Sequence, residues 1–223
     1  MDDFRKWKLL RHDNILSLCR ITYGFGPVPA IVSPWMSNGS LSTYLDEHYD
    51  GLSGAHKFGL LADVAAGLQY LHSNEMAHAD LTGSNVLINS DGRALLDYGL
   101  LTTCSDLNGT SYIRSNVRWA APELFEVSHA KDASSSPKLE SDIYSFGCIT
   151  YQVLSGKRPY YNICSDNKVV VAILKGVKPK RPDIPAIADR HWNFIEQCWV
   201  ESSQRPPIAD VRDLMCHYRD AMC

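Results

Sequence analysis

The apolar positions of the chain recur with a helical period over residues 57–73. Leucine, valine and alanine return there at every third or fourth position, as Leu60, Leu61, Val64, Ala65, Leu68 and Leu71. This spacing places the apolar side chains on one face of a helix, which a folded protein buries. A short helix is predicted after Ser40, and a strongly apolar helix over 143–154 is predicted to end at Gly156. Further helices are predicted over 169–174, 191–199 and 208–218.

Short apolar runs on either side of turn-forming residues predict two β-hairpins. The first pairs residues 21–23 with 30–33 across a turn rich in glycine and proline. The second pairs residues 86–88 with 94–96 across a tight Asp-Gly turn. Before the first hairpin, residues 4–10 have the apolar spacing of the end of a helix. The predicted strands are therefore few and local, and helices dominate the second half.

Composition and charge narrow the class of protein. The chain has 223 residues, of which 45% are apolar and 21% charged, as expected for one globular domain with a buried core. A net charge of -3 gives no general attraction to nucleic acid or anionic membrane, so neither is predicted as a partner. The longest aliphatic run, 169–174, is too short to span a bilayer, and the first residues lack a signal peptide. We therefore predict an intracellular, cytoplasmic protein without membrane insertion.

Candidate chemistry is concentrated at residues 78–85, His-Ala-Asp-Leu-Thr-Gly-Ser-Asn, and at Asp97, which follows the second hairpin. The hairpin is predicted to bring together the carboxylates of Asp80 and Asp97 and the amide of Asn85. Phosphoryl transfer requires magnesium held by hard oxygen ligands and an acceptor hydroxyl oriented by a positioned carboxylate. Taken singly, each of the three is more often a cap or turn residue, and only the combination favours the catalytic interpretation.

Residues 78–85 and the Asp-Tyr-Gly at 97–99 resemble the catalytic loop and the magnesium-binding Asp-Phe-Gly motif of eukaryotic protein kinases. Further stretches resemble other motifs of that family, in the family's order: 10–16, 33–36, 38–41, 121–123, 142–147, 156–160, 198–199 and 204–207. The resemblance covers essentially the whole chain. It is closest to the tyrosine-kinase-like branch, with a fungal form of the catalytic loop.

This resemblance implies an α+β, protein-kinase-like fold. Residues 1–36 are expected to be a truncated remnant of the N-terminal lobe, and residues 37–223 a mostly helical C-terminal lobe. The cofactors implied are ATP and Mg²⁺, and the partner implied is a protein, as substrate or binding partner. Asp80 is expected to accept or orient the proton of the substrate hydroxyl, while Asn85 and Asp97 ligate magnesium.

The resemblance also assigns residues to the nucleotide pocket and to its support. Ser33 is expected to be the gatekeeper, Met36 to offer backbone groups to adenine, and Leu87 to form the floor beneath the adenine ring. Two supporting contacts are implied: Asp142 with the backbone of the catalytic loop, and Arg205 with Glu123 in a buried ion pair.

Departures from the family pattern bear on activity. Only eleven residues precede His12, so the glycine-rich loop and the strand lysine that grip the phosphates have no counterpart in this sequence. Ala79 replaces the usual arginine that reads activation-loop phosphorylation, and Thr82 replaces the lysine common in serine/threonine enzymes. Asn116 stands where a threonine usually lines the acceptor pocket. Impaired turnover is expected, since each lost electrostatic donor costs on the order of a hundredfold in rate.

The sequence leaves different functions open. One is an ATP-dependent protein kinase that acts on serine or threonine. A gene-model fragment would explain the absent upper lobe of that kinase. Another function is a kinase-derived binding module without catalysis, and a third possibility is a decaying reading frame with no selected function. Open strand edges also predict association through residues of about 4–35.

Overall fold

The computed structural model describes residues 7, 9–22, 24, 30–97, 116–125 and 138–222. Over these residues the fold is mostly helical, with two short antiparallel hairpins. The elements are β1 Arg20–Thr22, β2 Ala30–Val32, α1 Leu41–His48, α2 Gly54–Ser73, β3 Val86–Ile88, β4 Ala94–Leu96, α3 Leu139–Ser155, α4 Asp166–Leu174, α5 Asp189–Cys198 and α6 Ile208–Asp220. Single 3₁₀ turns lie at Tyr49–Gly51, Pro122–Phe125 and Ser202–Gln204. No helix in the described ranges has both the length and the apolar character needed to cross a bilayer.

The helix ends follow local capping chemistry. Ser40 caps α1 by accepting a hydrogen bond from the backbone N–H of Thr43 at 3.2 Å. Ser53 caps α2 in the same way, which explains why that helix begins at Gly54, three residues before the predicted start. The predicted stop of α3 at Gly156 is confirmed, because this glycine has the left-handed φ of 66° that ends many helices.

Helices α2 and α3 form the centre of the core. The predicted apolar stripe of α2 is confirmed as buried, since each of its six members is at most 1% exposed. Helix α3 is buried nearly all round, with Ile143, Phe146, Ile149 and Val153 in the same cluster. Helix α2 packs against α6, β4 and α3, and α3 packs in turn against α5. Residues 78–85 therefore follow shortly after the end of a fixed core helix.

Both predicted hairpins are present. Strands β1 and β2 pair with Ile21 opposite Ile31, and β3 and β4 pair with Leu87 opposite Leu95. The turn of the second hairpin is closed by Asn89, whose side-chain oxygen accepts two backbone hydrogen bonds at 2.9 Å. Most of the first turn lies outside the described residues. The predicted association through this region stays a prediction.

The segment before β1 packs on the helical part of the chain. Asn14 donates from its side chain to the carbonyl of Ala94 at 2.9 Å, within β4. The backbones of Asn14 and Leu16 exchange hydrogen bonds of 2.9 Å with Leu96 on the same strand. Leu16 is 1% exposed and belongs to the same hydrophobic cluster as α2 and α3. The segment before β1 therefore shares the hydrophobic core of α2 and α3. The predicted domain boundary at residue 36 stays a prediction.

A tight contact between α2 and β4 gives the first prediction. A Cβ added at Gly67 would lie 2.7 Å from the backbone oxygen of Asn14 and 2.9 Å from a methyl group of Leu96. Gly67→Ala is expected to lower the free energy of unfolding by about 2 kcal/mol, because overpacking exceeds the gain in helix propensity. Denaturant unfolding measures this change.

The same helix offers a matched control. A Cβ added at Gly59 meets nothing within 4 Å, so Gly59→Ala is expected to raise the free energy of unfolding by up to about 1 kcal/mol. Equal effects of the two substitutions would show that the close approach at Gly67 does not constrain the fold.

Candidate active site

The predicted catalytic loop, residues 78–85, is held by one buried carboxylate. Asp142, in the first turn of α3, is 1% exposed. Its Oδ2 accepts from the backbone N–H of His78 at 2.8 Å, and its Oδ1 accepts from that of Ala79 at 2.9 Å. The expected support of the loop by Asp142 is therefore confirmed. The Nε2 atom of His72, at the end of α2, lies 2.9 Å from the same Oδ2.

Two amide groups orient the carboxylate of Asp80. Asn85 donates from Nδ2 to Asp80 Oδ2 at 2.9 Å and to the Asp80 carbonyl at 2.7 Å. Asn116 donates from its own Nδ2 to Asp80 Oδ1 at 2.7 Å. Burial raises the pKa of the Asp80 carboxyl above its ordinary value, and the hydrogen bonds from Asn116 and Asn85 oppose that rise only in part. The result is a fixed carboxylate that is more basic than an exposed one.

The second hairpin brings Asn85 and Asp97 side by side. Asn85 directly precedes β3, Asp97 directly follows β4, and the backbone N–H of Asp97 donates to the carbonyl of Asn85 at 2.8 Å. Because Nδ2 of Asn85 is directed at Asp80, its side-chain oxygen is the atom that can ligate a cation. Asn85 therefore contacts Asp80 through its side chain and Asp97 through its backbone, and the convergence of all three side chains stays a prediction. Residues 98 and 99 of the Asp-Tyr-Gly motif lie outside the described residues.

This donor set fits magnesium better than a transition metal. No group of three or more His, Cys, Asp or Glu side chains that could hold a metal occurs in the ranges that the structure describes. An amide oxygen from Asn85 and a carboxylate from Asp97 are hard ligands, and Mg²⁺ commonly combines one or two such groups with water and phosphate oxygens. The residues present therefore fit Mg²⁺ bound together with a nucleotide.

The predicted nucleotide-pocket residues lie along the connection to α1 and on β3. Ser33 is exposed just after β2, while Met36 and Leu87 are partly buried against the main core. The connection runs beside β3, since the N–H of Asn38 donates to the carbonyl of Ile88 at 3.2 Å. Met36 and Leu87 therefore pack against one core on adjoining segments. The adenine-binding roles of Ser33, Met36 and Leu87 stay predictions.

Arg118 holds the turn that follows Asn116. This role of Arg118 was not predicted from the sequence. Its side chain is 4% exposed and donates to the Pro159, Tyr160 and Ile163 carbonyls at 2.8 to 3.1 Å, and to the Asp166 carboxylate at 2.8 Å. Next to it, Val117 belongs to a second hydrophobic cluster with Tyr160, Val169 and Ile173. The available signal was an arginine inside an otherwise apolar stretch, which favours a paired and buried guanidinium.

The expected ion pair between Arg205 and Glu123 is confirmed. The guanidinium is bidentate, with Nη1 to Oε1 at 2.6 Å and Nη2 to Oε2 at 2.9 Å. The side chain of Arg205 is 2% exposed and that of Glu123 is 26% exposed. Ser141 adds a hydrogen bond to Glu123 Oε1 at 2.9 Å. This pair joins the 3₁₀ turn after the Asn116 segment to the segment between α5 and α6.

Comparison with known proteins agrees with this arrangement. A family model described as "Protein tyrosine and serine/threonine kinase" matches residues 1–215. Ephrin type-A receptor 3 of Danio rerio is 31% identical over 208 residues, which is 90% of this chain and 20% of that protein. The dual specificity protein kinase pyk3 of Dictyostelium discoideum is 31% identical over 186 residues, 82% of this chain and 13% of that protein. The cytoplasmic tyrosine-protein kinase BMX of Mus musculus is 31% identical over 181 residues, 79% of this chain and 26% of that protein.

The chain belongs to the eukaryotic protein kinase family, with an α+β kinase fold whose described part is mostly helical. It spans about a quarter or less of the length of these curated relatives. Their names include receptors as well as a cytoplasmic kinase, so the cellular compartment stays a prediction. Placement in the tyrosine-kinase-like branch also stays a prediction.

Proposed function

We propose that this chain binds ATP with Mg²⁺ and transfers the terminal phosphoryl group to a hydroxyl of a protein substrate. The observation that carries the proposal is the geometry at Asp80. Its carboxylate is fixed by amides of Asn85 and Asn116, beside the pair of magnesium-type ligands on Asn85 and Asp97. Phosphoryl transfer depends mainly on such positioning and on electrostatic stabilisation.

Each residue has a distinct role in this proposal. Asp80 receives a hydrogen bond from the acceptor hydroxyl, orients its oxygen toward the phosphorus and takes the proton as the new O–P bond forms. The raised pKa of Asp80 favours that proton transfer. Asn85 and Asp97 would hold Mg²⁺, which when bound neutralises charge on the phosphates. The leaving group is ADP, so atoms and charge balance without another reactant.

Serine or threonine is the proposed acceptor. The amide of Asn116 reaches Asp80 Oδ1 from the position where a threonine usually lines the acceptor pocket of the family, and this departure leaves the choice of acceptor open. Relatives of this chain include tyrosine and dual specificity kinases by name, so the acceptor is the part of the proposal that needs the most direct test.

Slow turnover is part of the same proposal. The Thr82 hydroxyl accepts from the backbone N–H groups of Ser84 and Asn85 at 3.3 Å, so it stabilises the loop turn and supplies no cation. Ala79 likewise offers no positive charge. Each missing electrostatic donor lowers the rate on the order of a hundredfold.

Peptides that differ only in a serine, threonine or tyrosine acceptor test the proposal. The purified chain is incubated with these peptides, ATP labelled in the terminal phosphate, and Mg²⁺. We expect slow transfer to the serine or threonine peptide that stops when the metal is chelated. Transfer to the tyrosine peptide alone would overturn the acceptor preference. No transfer, together with no thermal shift on adding ATP and Mg²⁺, would overturn the enzyme proposal.

The second candidate function is a binding module. Exposed apolar side chains favour it, since Val171 and Leu174 on α4 and Val177 just after it are 50%, 59% and 49% exposed. A surface of this kind is typical of a protein contact. This function predicts that a partner binds equally well to the parent chain and to Asp80→Asn, whereas the enzyme proposal requires loss of phosphate transfer.

A further inference from the structure

A cavity of about 190 Å³ lies between α3, the end of α4 and the segment that joins α5 to α6, and it takes no part in the proposed phosphoryl transfer. Four side chains that line it are each at most 3% exposed: Tyr144, Tyr160, Ile173 and Trp199. The Tyr160 hydroxyl donates to the carbonyl of Val177 at 2.9 Å, which fixes the segment after α4 at the edge of the cavity. Because core packing holds these groups, the cavity keeps its shape without a ligand.

The charged groups that line the cavity differ between its interior and its rim. Glu123 and Arg205 line it, but they neutralise each other through their bidentate contact. Lys178 and Glu201 also line it, and both are exposed and lie outside every ion pair of the described residues. A group that fills the cavity must therefore be apolar, while charged groups of the same ligand can contact the rim.

The outer face of α4 adjoins this cavity and is both apolar and positively charged. Lys168, Val171, Leu174 and Lys175 recur along it at steps of three or four residues, and all four are exposed. Neither lysine is in an ion pair within the part of the chain that the structure describes. Asp166, the acid of this helix, is bound to a buried guanidinium instead. The positive charge of the face is therefore left uncompensated.

We propose that the cavity and the outer face of α4 together form a docking surface for an acidic segment of a partner protein. One aromatic or large aliphatic side chain of that segment fills the cavity, and its carboxylates contact Lys168, Lys175 and Lys178. An apolar cavity of about 150 Å³ can hold benzene, so 190 Å³ is enough for a phenyl ring. Anchors of this kind, seated in a preformed pocket, supply most of the affinity of a protein contact, and complementary charges at the rim add specificity.

A lipid surface and a second copy of the chain fit these observations less well. A bilayer could contact the apolar and basic side chains of α4, but a flat surface would leave the recessed cavity empty. A symmetric pair of chains through this face would place the lysines of one copy against those of the other, which like-charge repulsion opposes. An acidic protein segment satisfies both the cavity and the charge.

A random peptide library displayed on phage, selected on the purified chain, provides the first test. We expect the selected peptides to share acidic residues around one aromatic or large aliphatic residue. Replacing that residue with alanine should weaken binding, measured by fluorescence anisotropy, by roughly thirtyfold, the effect of losing a buried anchor. Selection of no peptide, or only of peptides without acidic residues, would overturn the inference.

Variants that fill the cavity locate the contact. Ser202 lines the cavity and is half-buried, so the indole of Ser202→Trp is expected to occupy it and weaken peptide binding by roughly thirtyfold. Ser203→Trp is the matched control, since Ser203 is exposed and does not line the cavity, and it should leave binding unchanged. If Ser202→Trp does not fold, Val177→Glu tests the same rim at a side chain that is 49% exposed. Binding that the folded rim variant leaves unchanged would contradict the proposed position.

A reversal of charge tests the role of the lysines. Lys178→Glu is expected to weaken the acidic peptides by about tenfold, and peptides whose acids are replaced by lysine should bind this variant better than they bind the parent. Equal binding of both peptide classes to both chains would exclude charge recognition. Binding to phosphatidylserine vesicles that Lys178→Glu abolishes, or dimerisation in light scattering that Val177→Glu abolishes, would assign the surface to lipid or to a second copy and overturn the proposal.

This inference rests on the second candidate function, the binding module, and does not depend on phosphoryl transfer. Asp80→Asn is therefore expected to bind the selected peptides as tightly as the parent chain does. Absence of phosphate transfer by the parent would remove the kinase proposal and leave the docking surface intact. Peptides that bind at another face would leave the binding module standing and remove this surface.

Discussion

Replacing Asp80 with asparagine is expected to abolish phosphoryl transfer while changing the free energy of unfolding by less than about 1 kcal/mol. The catalytic loss follows from the proposed role, since an amide cannot take the proton of the acceptor hydroxyl. We expect a drop in kcat of about a thousandfold or more, at the level of general-base loss combined with lost substrate orientation.

The small effect on stability has a separate physical reason. Burial raises the pKa of Asp80, which means that the fold disfavours the ionised carboxylate relative to the unfolded chain. Since the folded pKa lies above the unfolded value, the charged group opposes folding at neutral pH, and asparagine removes that cost. The substitution also weakens one hydrogen bond from Asn85 or Asn116, which offsets the gain.

Labelled-phosphate transfer and denaturant unfolding measure the two effects on the same preparations. Asp91→Asn is the matched control, because Asp91 is exposed in the turn of the second hairpin and is expected to affect neither transfer nor stability. Transfer by Asp80→Asn within about tenfold of the parent would exclude Asp80 as the group that receives the proton.

Most of the helical part of the fold could be predicted from the sequence. The six apolar positions of α2 have a period that only a buried helical face explains, and Gly156 ends α3 where the sequence predicts. The start of α2 was less predictable, because the cap at Ser53 precedes the apolar pattern by several residues. Capping depends on one side-chain oxygen, which hydrophobic periodicity does not report.

The residues of the candidate site and two of its supports, Asp142 and the Arg205–Glu123 pair, were predictable, but the contacts of His72 and Arg118 were not. The short second hairpin lies between Asn85 and Asp97, and Asp80 precedes it by a few residues. Nearness in sequence therefore predicts that these residues are neighbours. The contacts of His72 with Asp142 and of Arg118 with Asp166 join residues 70 and 48 positions apart. Such pairs depend on how α2, α3 and α4 pack, and one sequence does not specify which buried donor meets which acceptor.

Replacing Arg205 with methionine is expected to lower the free energy of unfolding by about 3 to 5 kcal/mol, the usual cost of breaking a buried ion pair. The substitution removes a bidentate contact to Glu123 and leaves the carbonyls of Val200 and Glu140 without this donor. It also removes a guanidinium 5.3 Å from the ring centre of Tyr144. Denaturant unfolding at neutral pH measures the loss.

Controls separate the pair from general effects of arginine removal. Arg212→Met, at an exposed position on α6, is expected to change stability by less than about 0.5 kcal/mol. Glu123→Gln should cost less than Arg205→Met, because Glu123 is more exposed and glutamine keeps one acceptor. The double variant should lose less free energy of unfolding than the sum of the losses in the two single variants. Additive losses would show that the two residues act independently.

The pH dependence of stability supplies an independent test of this pair. Burial alone would raise the pKa of the Glu123 carboxyl, but the hydrogen bonds and charge of Arg205 outweigh burial, so its pKa lies below the ordinary value. A lowered folded pKa contributes stability that is present above the unfolded pKa of about 4.3 and lost as pH falls through the folded pKa. Stability measured from neutral pH down to about pH 3 should therefore fall less steeply in Glu123→Gln than in the parent. Parallel curves would mean that Arg205 does not lower the pKa of Glu123, and that the ion pair contributes little in solution.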